Sequence, residues 1–246
     1  MKIAIAGGTG TVGTHAADAA RAAGHETVVL SRGRGVDLVS GAGLDAALAG
    51  VDAVIDVANV STLLASAATS FFTTATGNLI ASAARAGVGH VVLLSIVGID
   101  RMPFDYYAGK VAQERVVGAS AVPWTIVRAT QFHEFAAQLY RQAKIGPLHL
   151  APRARVQPIA AREVGEHLAA VASGAAQGRA ADLAGPREER LDEMVRAYGR
   201  REGNRGWIPS VSLPGAQMKG MRAGHALPGP GAVTGRETFD EWLARR

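Results

Sequence analysis

The 246-residue chain contains no cysteine, which excludes disulfides, thiolate zinc sites, iron–sulfur clusters and cysteine nucleophiles together. A chain this long buries a sizeable core without a covalent or metal staple. Folding in a reducing compartment is therefore natural, and a cytoplasmic location is expected. Aromatic residues make up only 5%, while alanine and glycine abound, which suits helices packed closely on a sheet better than a sandwich. No uninterrupted apolar run approaches the roughly 18 residues of a membrane span. The first apolar run, Ile3 to Ala6, follows a single lysine and passes straight into glycines, unlike a signal peptide. The seven histidines show no metal-ligand spacing, so no metal is expected. No run of five like charges occurs either. The net charge of +5 is unevenly placed: residues 1–140 hold 9 basic against 10 acidic side chains, and residues 141–246 hold 17 against 11. The basic residues alternate with acids, as in Arg187-Glu188-Glu189-Arg190, in the manner of a solvated helix face. Ordinary surface or an anion-attracting pocket is favoured over a polynucleotide groove. The expected partner is a small-molecule substrate, with nucleic acid and membrane disfavoured.

What is present is a regular alternation. Lys2 to Ala6, Glu26 to Ser31, Ala53 to Val57, Val91 to Ser95 and Trp124 to Arg128 read as strands. Between them, Thr11–Ala23, Leu44–Ala49, Ser66–Ala86 and Tyr106–Gly118 read as helices, several stopped by glycine. Strands spaced by helices imply βαβ units and a parallel sheet with right-handed crossovers. After about residue 145 the rhythm loosens, with Pro147, Pro152 and Pro158 breaking the pattern. A strand Val156–Ile159, a helix Arg162–Ala172, a strand Ala181–Ala184 and helices Leu191–Arg201 and Glu237–Ala244 follow. The expected division is residues 1–145 as a dinucleotide-binding domain and 146–246 as a smaller substrate-covering part. Ligands in such folds sit beyond the C-terminal ends of the strands.

The first strand runs into Gly7-Gly8-Thr9-Gly10-Thr11-Val12-Gly13, which opens a helix. Gly7 permits the tight turn, Gly10 lets backbone approach a pyrophosphate, and Gly13 lets the helix pack on the strand. The helix N-terminus offers N–H groups and a positive dipole end to phosphates. Gly7, Thr9, Gly10, Thr11, Val12 and Gly13 are thus the expected phosphate contacts. An NAD site places Asp or Glu about 20 residues further on. Here the second strand ends in Leu30-Ser31-Arg32-Gly33-Arg34, with no acid. Ser31, Arg32 and Arg34 suit a ribose 2′-phosphate, so NADP(H) is favoured. Asp37 and Leu38 are placed for adenine, and Ala58 and Asn59, just past the third strand, for the cofactor ribose. An exposed turn Asp and a capping Asn are the competing readings.

The glycine-rich opening, the strand ending in Ser95 and Tyr106-Tyr107-Ala108-Gly109-Lys110 resemble the short-chain dehydrogenase/reductase superfamily. Thr125 to Phe132, Val156-Gln157-Pro158-Ile159 with Arg162-Glu163-Val164, and Leu183-Ala184-Gly185-Pro186 resemble its atypical, NmrA-like branch. The resemblance spans nearly the whole chain and is strongest over 1–135. It implies an α/β fold: a Rossmann-type doubly wound parallel sheet with a small C-terminal α+β substrate-covering part. In the resembling family the lysine also binds the nicotinamide ribose, which adds Lys110 to the cofactor contacts.

Tyr106 and Lys110 lie one turn apart on one helix face. The lysine's charge is expected to favour the phenolate and lower the tyrosine's pKa. Tyr106 would donate a proton to a carbonyl oxygen as hydride arrives, and Ser95 would hold that oxygen. Tyr107 takes the role if the helix starts later. Tyr140 and Lys144 repeat the spacing without a strand-end serine before them and read as coincidence. Met102 and Phe104 are expected to form an apolar wall of the substrate pocket, with Gln131, Phe132 and His133 bordering it; a capping or surface His133 is the competing reading. Two functions emerge: an NADPH-dependent oxidoreductase acting on a carbonyl, quinone or similar molecule, and an NmrA-like cofactor-sensing protein without turnover. In the first, the C-terminal charge excess favours an acidic or electron-rich substrate. A sugar-nucleotide epimerase fits less well, since such enzymes resemble this chain less in the Ser–Tyr gap and in the size of the C-terminal domain. A monomer or homodimer is expected, with Phe71-Phe72 facing either a second subunit or the core.

Overall fold

The computed structural model describes residues 1–146 and 148–246; Pro147, one of the expected pattern-breakers, lies outside the described residues. Strands β1 (Lys2–Ala6), β2 (Glu26–Leu30), β3 (Ala53–Asp56), β4 (His90–Ile96) and β5 (Trp124–Ala129) pair in parallel in the order β2-β1-β3-β4-β5. The strand order reverses at β1, so a crevice opens there beyond the strands' C-terminal ends. The strands are apolar on both faces because helices cover both. Ile3 and Ile5 of β1 pack with α1 (Thr11–Ala22) and α6 (Ala161–Ala172). Ala4 and Ala6, on the opposite face, pack with α2 (Leu44–Leu48) and α3 (Ala65–Ala86). This is the expected doubly wound α/β architecture.

The later part of the chain completes this sheet as well as covering it. Leu183–Ala184 pairs with β5 and Val233–Thr234 pairs in turn with Leu183–Ala184, both in parallel. Helix α6 lies so close on α1 that a Cβ at Gly165 would stand 2.6 Å from the Ala16 nitrogen. A second core gathers α5 (Glu134–Gln142), α7 (Leu191–Arg201), α8 (Ala216–Arg222) and α9 (Phe239–Ala244) around Ile99, Met102 and Tyr107. The strand expected over Val156–Ile159 shrinks to Arg155–Val156 plus one bridge at Ile159, because Pro158 has no N–H to donate. The last helix starts at Phe239 rather than Glu237, because Thr238 and Glu241 form a capping box.

Two tethers position the loop between β4 and α4 (Tyr106–Gly118). Arg128 of β5, nearly buried, donates through Nη2 to Asp100 Oδ1 at 2.9 Å and to Glu114 Oε2 of α4 at 2.6 Å. The guanidinium holds the Asp100 carboxyl below its ordinary pKa. Arg101 donates to the carbonyls of His225 and Leu227, at 2.8 and 2.9 Å, so the loop is bound to the C-terminal segment.

Candidate functional site

At the end of β1 the chain turns through Gly7, whose φ of +78° is left-handed. A Cβ there would stand 2.8 Å from the Val57 carbonyl oxygen. The opposing backbone is fixed by Asp56, whose Oδ1 accepts from the Ala58 amide at 3.0 Å. A Cβ on Gly13 would lie 2.2 Å from the Gly7 carbonyl oxygen, so only glycine allows α1 to start here. Gly10 caps α1 without any side-chain bond, which leaves first-turn N–H groups of the helix open to a ligand. Thr9, Gly10 and Thr11 are exposed beside them, whereas the Val12 side chain is buried and only its backbone is available. This cradle of bare backbone, which side chains would fill, fits a dinucleotide's pyrophosphate.

Beyond β2, Ser31 is extended and half-buried, and Arg32–Arg34 form a short 3-10 turn. Both arginines are exposed, and neither has an ion-pair partner among the described residues. Asp37 Oδ1 accepts from the Val39 and Ser40 amides at 2.8 and 3.3 Å, so one oxygen of this carboxylate serves its own turn. Leu38 packs against the core under that turn.

Helix α4 starts at Tyr106, directly after Asp105, whose φ of +50° is uncommon for a side-chain-bearing residue. The Tyr106 hydroxyl donates to Asn59 Oδ1 at 2.6 Å, joining α4 to the segment that leaves β3. Burial pushes the phenol above its ordinary pKa. Lys110 is buried and turned inward: its ammonium donates to the Leu94 carbonyl at 2.8 Å and to Gln113 Oε1 at 2.5 Å, and lies 4.7 Å from the Phe72 ring centre. Desolvation draws its pKa down to about 8, against the pull of Asp56 and Glu114. The expected lowering of the Tyr106 pKa is therefore not found: burial raises it, and the Lys110 ammonium is turned to Leu94 and Gln113 instead. Tyr107 sits in the second core, where its hydroxyl accepts from Gln131 Nε2 at 3.3 Å. Ser95, near the end of β4, is 2% exposed, and its hydroxyl has no hydrogen-bond partner among the described residues. Gln131 Oε1 is likewise buried and unpartnered.

Beneath Lys110 runs a polar chain that the sequence did not announce. Gln113 Nε2 donates to Thr76 Oγ1 at 2.8 Å and to Asp56 Oδ2 at 3.2 Å, and Thr76 Oγ1 donates to Asp56 Oδ2 at 3.0 Å. Desolvation raises the Asp56 pKa, since this carboxylate is wholly enclosed. A charged residue closing an otherwise apolar strand, and a Gln one turn after the lysine, are the sequence signals for this network.

Of the expected pocket residues, Phe104 is 44% exposed, and Gln131 and Phe132 are half-buried. Met102 and His133 have no exposed surface. Met102 fills the space over Gly220 of α8, where a Cβ would come within 2.5 Å of its sulfur. His133 is turned to the C-terminal helix, with Nε2 3.1 Å from the Glu237 carbonyl oxygen and its ring against Phe239 and Trp242. Burial lowers its pKa to about 4, so it is a neutral core histidine. Tyr140 is stacked on His149 at 3.8 Å, and Lys144 lies beyond the end of α5, so the second Tyr-x-x-x-Lys forms no helical pair. Phe72 is buried edge-on to Tyr106, within the fold. Among the described residues no group of three or more His, Asp or Glu could hold a metal, and no helix is long and apolar enough to cross a membrane.

No curated protein matches the sequence. Solved structures do match in fold. An NADPH-dependent quinone oxidoreductase from Escherichia coli, complexed with NADPH, aligns at a TM-score of 0.76 and 18% identity, over 99% of this chain and 99% of that one. MoeE5, in complex with UDP-glucuronic acid and NAD, aligns at 0.74 and 18%, over 99% and 97%. The triphenylmethane reductase of Citrobacter sp., complexed with NADP(H), aligns at 0.72 and 16%, over 100% and 99%. At these identities the likeness is one of fold. The profile of the NAD(P)H-binding family matches residues 7–173, from the glycine turn through α6, and the chain belongs to that NAD(P)H-binding family.

Proposed function

We propose that the protein is an NADPH-dependent oxidoreductase of the NmrA-like branch, reducing a carbonyl, quinone or similar small molecule. The observation that carries this reading is Ser95: a buried hydroxyl without a partner among the described residues, near the C-terminal end of β4, suits an oxygen that arrives with a ligand. The turn from Gly7 to Gly13 and the open end of α1 would hold the pyrophosphate, with Arg32 and Arg34 on the 2′-phosphate, Ser31, Asp37 and Leu38 near adenine, and Ala58, Asn59 and Lys110 along the ribose. When bound, the reduced nicotinamide supplies the hydride. The chain supplies the rest. Ser95 donates to the substrate oxygen, and Tyr106 gives that oxygen its proton. A phenol kept protonated by burial is in the form that donates a proton. Lys110, with its pKa near 8, remains mostly charged at neutral pH and holds positive potential at the end of β4. In this reading residues 1–145 bind the cofactor and the chain from 146 covers the substrate.

A second reading, a cofactor-sensing protein without turnover, is favoured by one observation: the Lys110 ammonium is engaged by Leu94 and Gln113, and the Tyr106 hydroxyl by Asn59. NADPH consumption on a panel of quinones, ketones and aldehydes separates the two. Turnover that Tyr106→Phe reduces by about 100-fold supports the enzyme, in line with the 10²–10⁴-fold typical of acid–base catalysis. Tight NADPH binding with no turnover on any substrate supports the sensor.

A further inference from the structure

Residues 57–84 contain no Asp, Glu, Lys, Arg or His. At the chain's average of 19% charged residues, these 28 positions would carry about five charges. The segment leaves the candidate site directly, since Asn59 accepts the Tyr106 hydroxyl. It then exposes two leucines, Leu63 at 81% and Leu64 at 68%, just before α3. Helices α3 and α4 lie side by side, so close that a Cβ on Gly109 would touch the Ala68 Cβ at 2.7 Å. One turn back from this contact stand Leu64, the residue before α3, and Asp105, the residue before α4, with Phe104 next to Asp105 and itself 44% exposed. Leu63, Leu64 and Phe104 are therefore exposed apolar side chains at the end of the α3–α4 pair where Tyr106 begins α4, an apolar rim beside the candidate site.

Three of the chain's cations are not free to draw an acidic substrate to this rim. Arg101 is bonded to the carbonyls of His225 and Leu227, Arg155 to Glu188, and Lys110 is buried. Arg32 and Arg34 lie apart on the turn after β2, and Arg200 and Arg205 line a hollow of about 520 Å³ at the end of α7. Asp105 adds negative charge next to Phe104. A diphosphate or carboxylate seated here would lose hydration and stand close to the charge of Asp105.

We infer that this site takes an uncharged, largely apolar substrate, seated against Leu63, Leu64 and Phe104. This rests on the oxidoreductase reading and narrows its substrate class. It also reverses the expectation that the C-terminal charge excess selects an acidic substrate.

The test uses the full-length protein with NADPH and two probes, a neutral naphthoquinone and its sulfonated counterpart. We expect kcat/KM to favour the neutral quinone by at least about tenfold, the scale of a single apolar contact in a pocket. In the double variant Leu63→Ser/Leu64→Ser, its KM should rise about tenfold while the NADPH dissociation constant stays within about twofold. Equal kcat/KM for both quinones, or a KM unmoved in the double variant, overturns the inference and leaves the oxidoreductase reading standing. Should no quinone, ketone or aldehyde turn over, that reading fails, and equilibrium dialysis of the neutral quinone decides the rim by itself. Binding that the double variant weakens about tenfold supports the rim, and equal or absent binding overturns it. Sedimentation gives the remaining outcome: a wild-type dimer that the double variant dissociates, with quinone KM unchanged, assigns the leucines to a second copy and overturns the inference.

Discussion

Ser95→Ala is expected to move stability and activity in opposite directions. The residue is 2% exposed and its hydroxyl has no partner among the described residues, so the free protein bears the desolvation of a polar group without a bond in return. That penalty is about 1–3 kcal/mol, and alanine removes it while keeping the Cβ. If 1 kcal/mol is recovered, the melting temperature of a chain this size rises by about 2–4 °C. If the same hydroxyl holds the substrate oxygen as charge develops on it, its loss costs about 2–3 kcal/mol, or 30- to 150-fold in kcat/KM. A stability gain joined to an activity loss is what a group kept for function predicts. Thermal melts of the ligand-free protein and steady-state consumption of NADPH read the two effects separately. A melting temperature lower by several degrees with undiminished kcat/KM would refute the reasoning, since Ser95 would then be making a structural bond.

Lys110 carries a pH signature. Its proton is held to about pH 8 in the folded protein and to about 10.5 when unfolded, so the unfolded chain binds more protons in between and stability rises with pH across that window. Melts from pH 7 to 10 should show this rise, up to about 3 kcal/mol, and Lys110→Met should abolish it. His133 behaves alike at lower pH: with a folded pKa near 4 against 6.5 unfolded, its contribution rises with pH from 4 to 6.5. His133→Phe should flatten acid unfolding in that range, and an unchanged acid transition would mean that the imidazole is not buried neutral. Arg32→Ala should weaken NADPH about 10- to 100-fold by calorimetric titration and leave NADH within about twofold; equal losses would exclude a contact with the 2′-phosphate.

The parts of the molecule that could be read from sequence are those whose cause is local. The glycine turn announces itself because a buried strand precedes it and a helix follows, and the structure shows Gly7 and Gly13 forced by backbone neighbours, as at Gly13 against Gly7. The sheet was legible because strands apolar on both faces need helices on both sides. Lys110 shows where local reasoning stops. Spacing places it on the helix face of Tyr106, but Leu94, Gln113 and Phe72, supplied by a strand and two helices, set where its ammonium goes. His133 depends on Glu237, 104 residues later in the chain, and its burial could not be read from its neighbours in sequence. The Asp56–Thr76–Gln113 chain likewise joins a strand end to two helices, a conjunction that only the fold creates.

The central claim, NADPH-dependent reduction at Ser95 and Tyr106, is tested most directly by following NADPH consumption with a neutral quinone in the wild type and in Tyr106→Phe. The account predicts turnover in the wild type, a loss of about 100-fold in kcat for the variant, and the same NADPH affinity in both. NADPH bound tightly by both proteins, with no oxidation of it by either, would contradict the account.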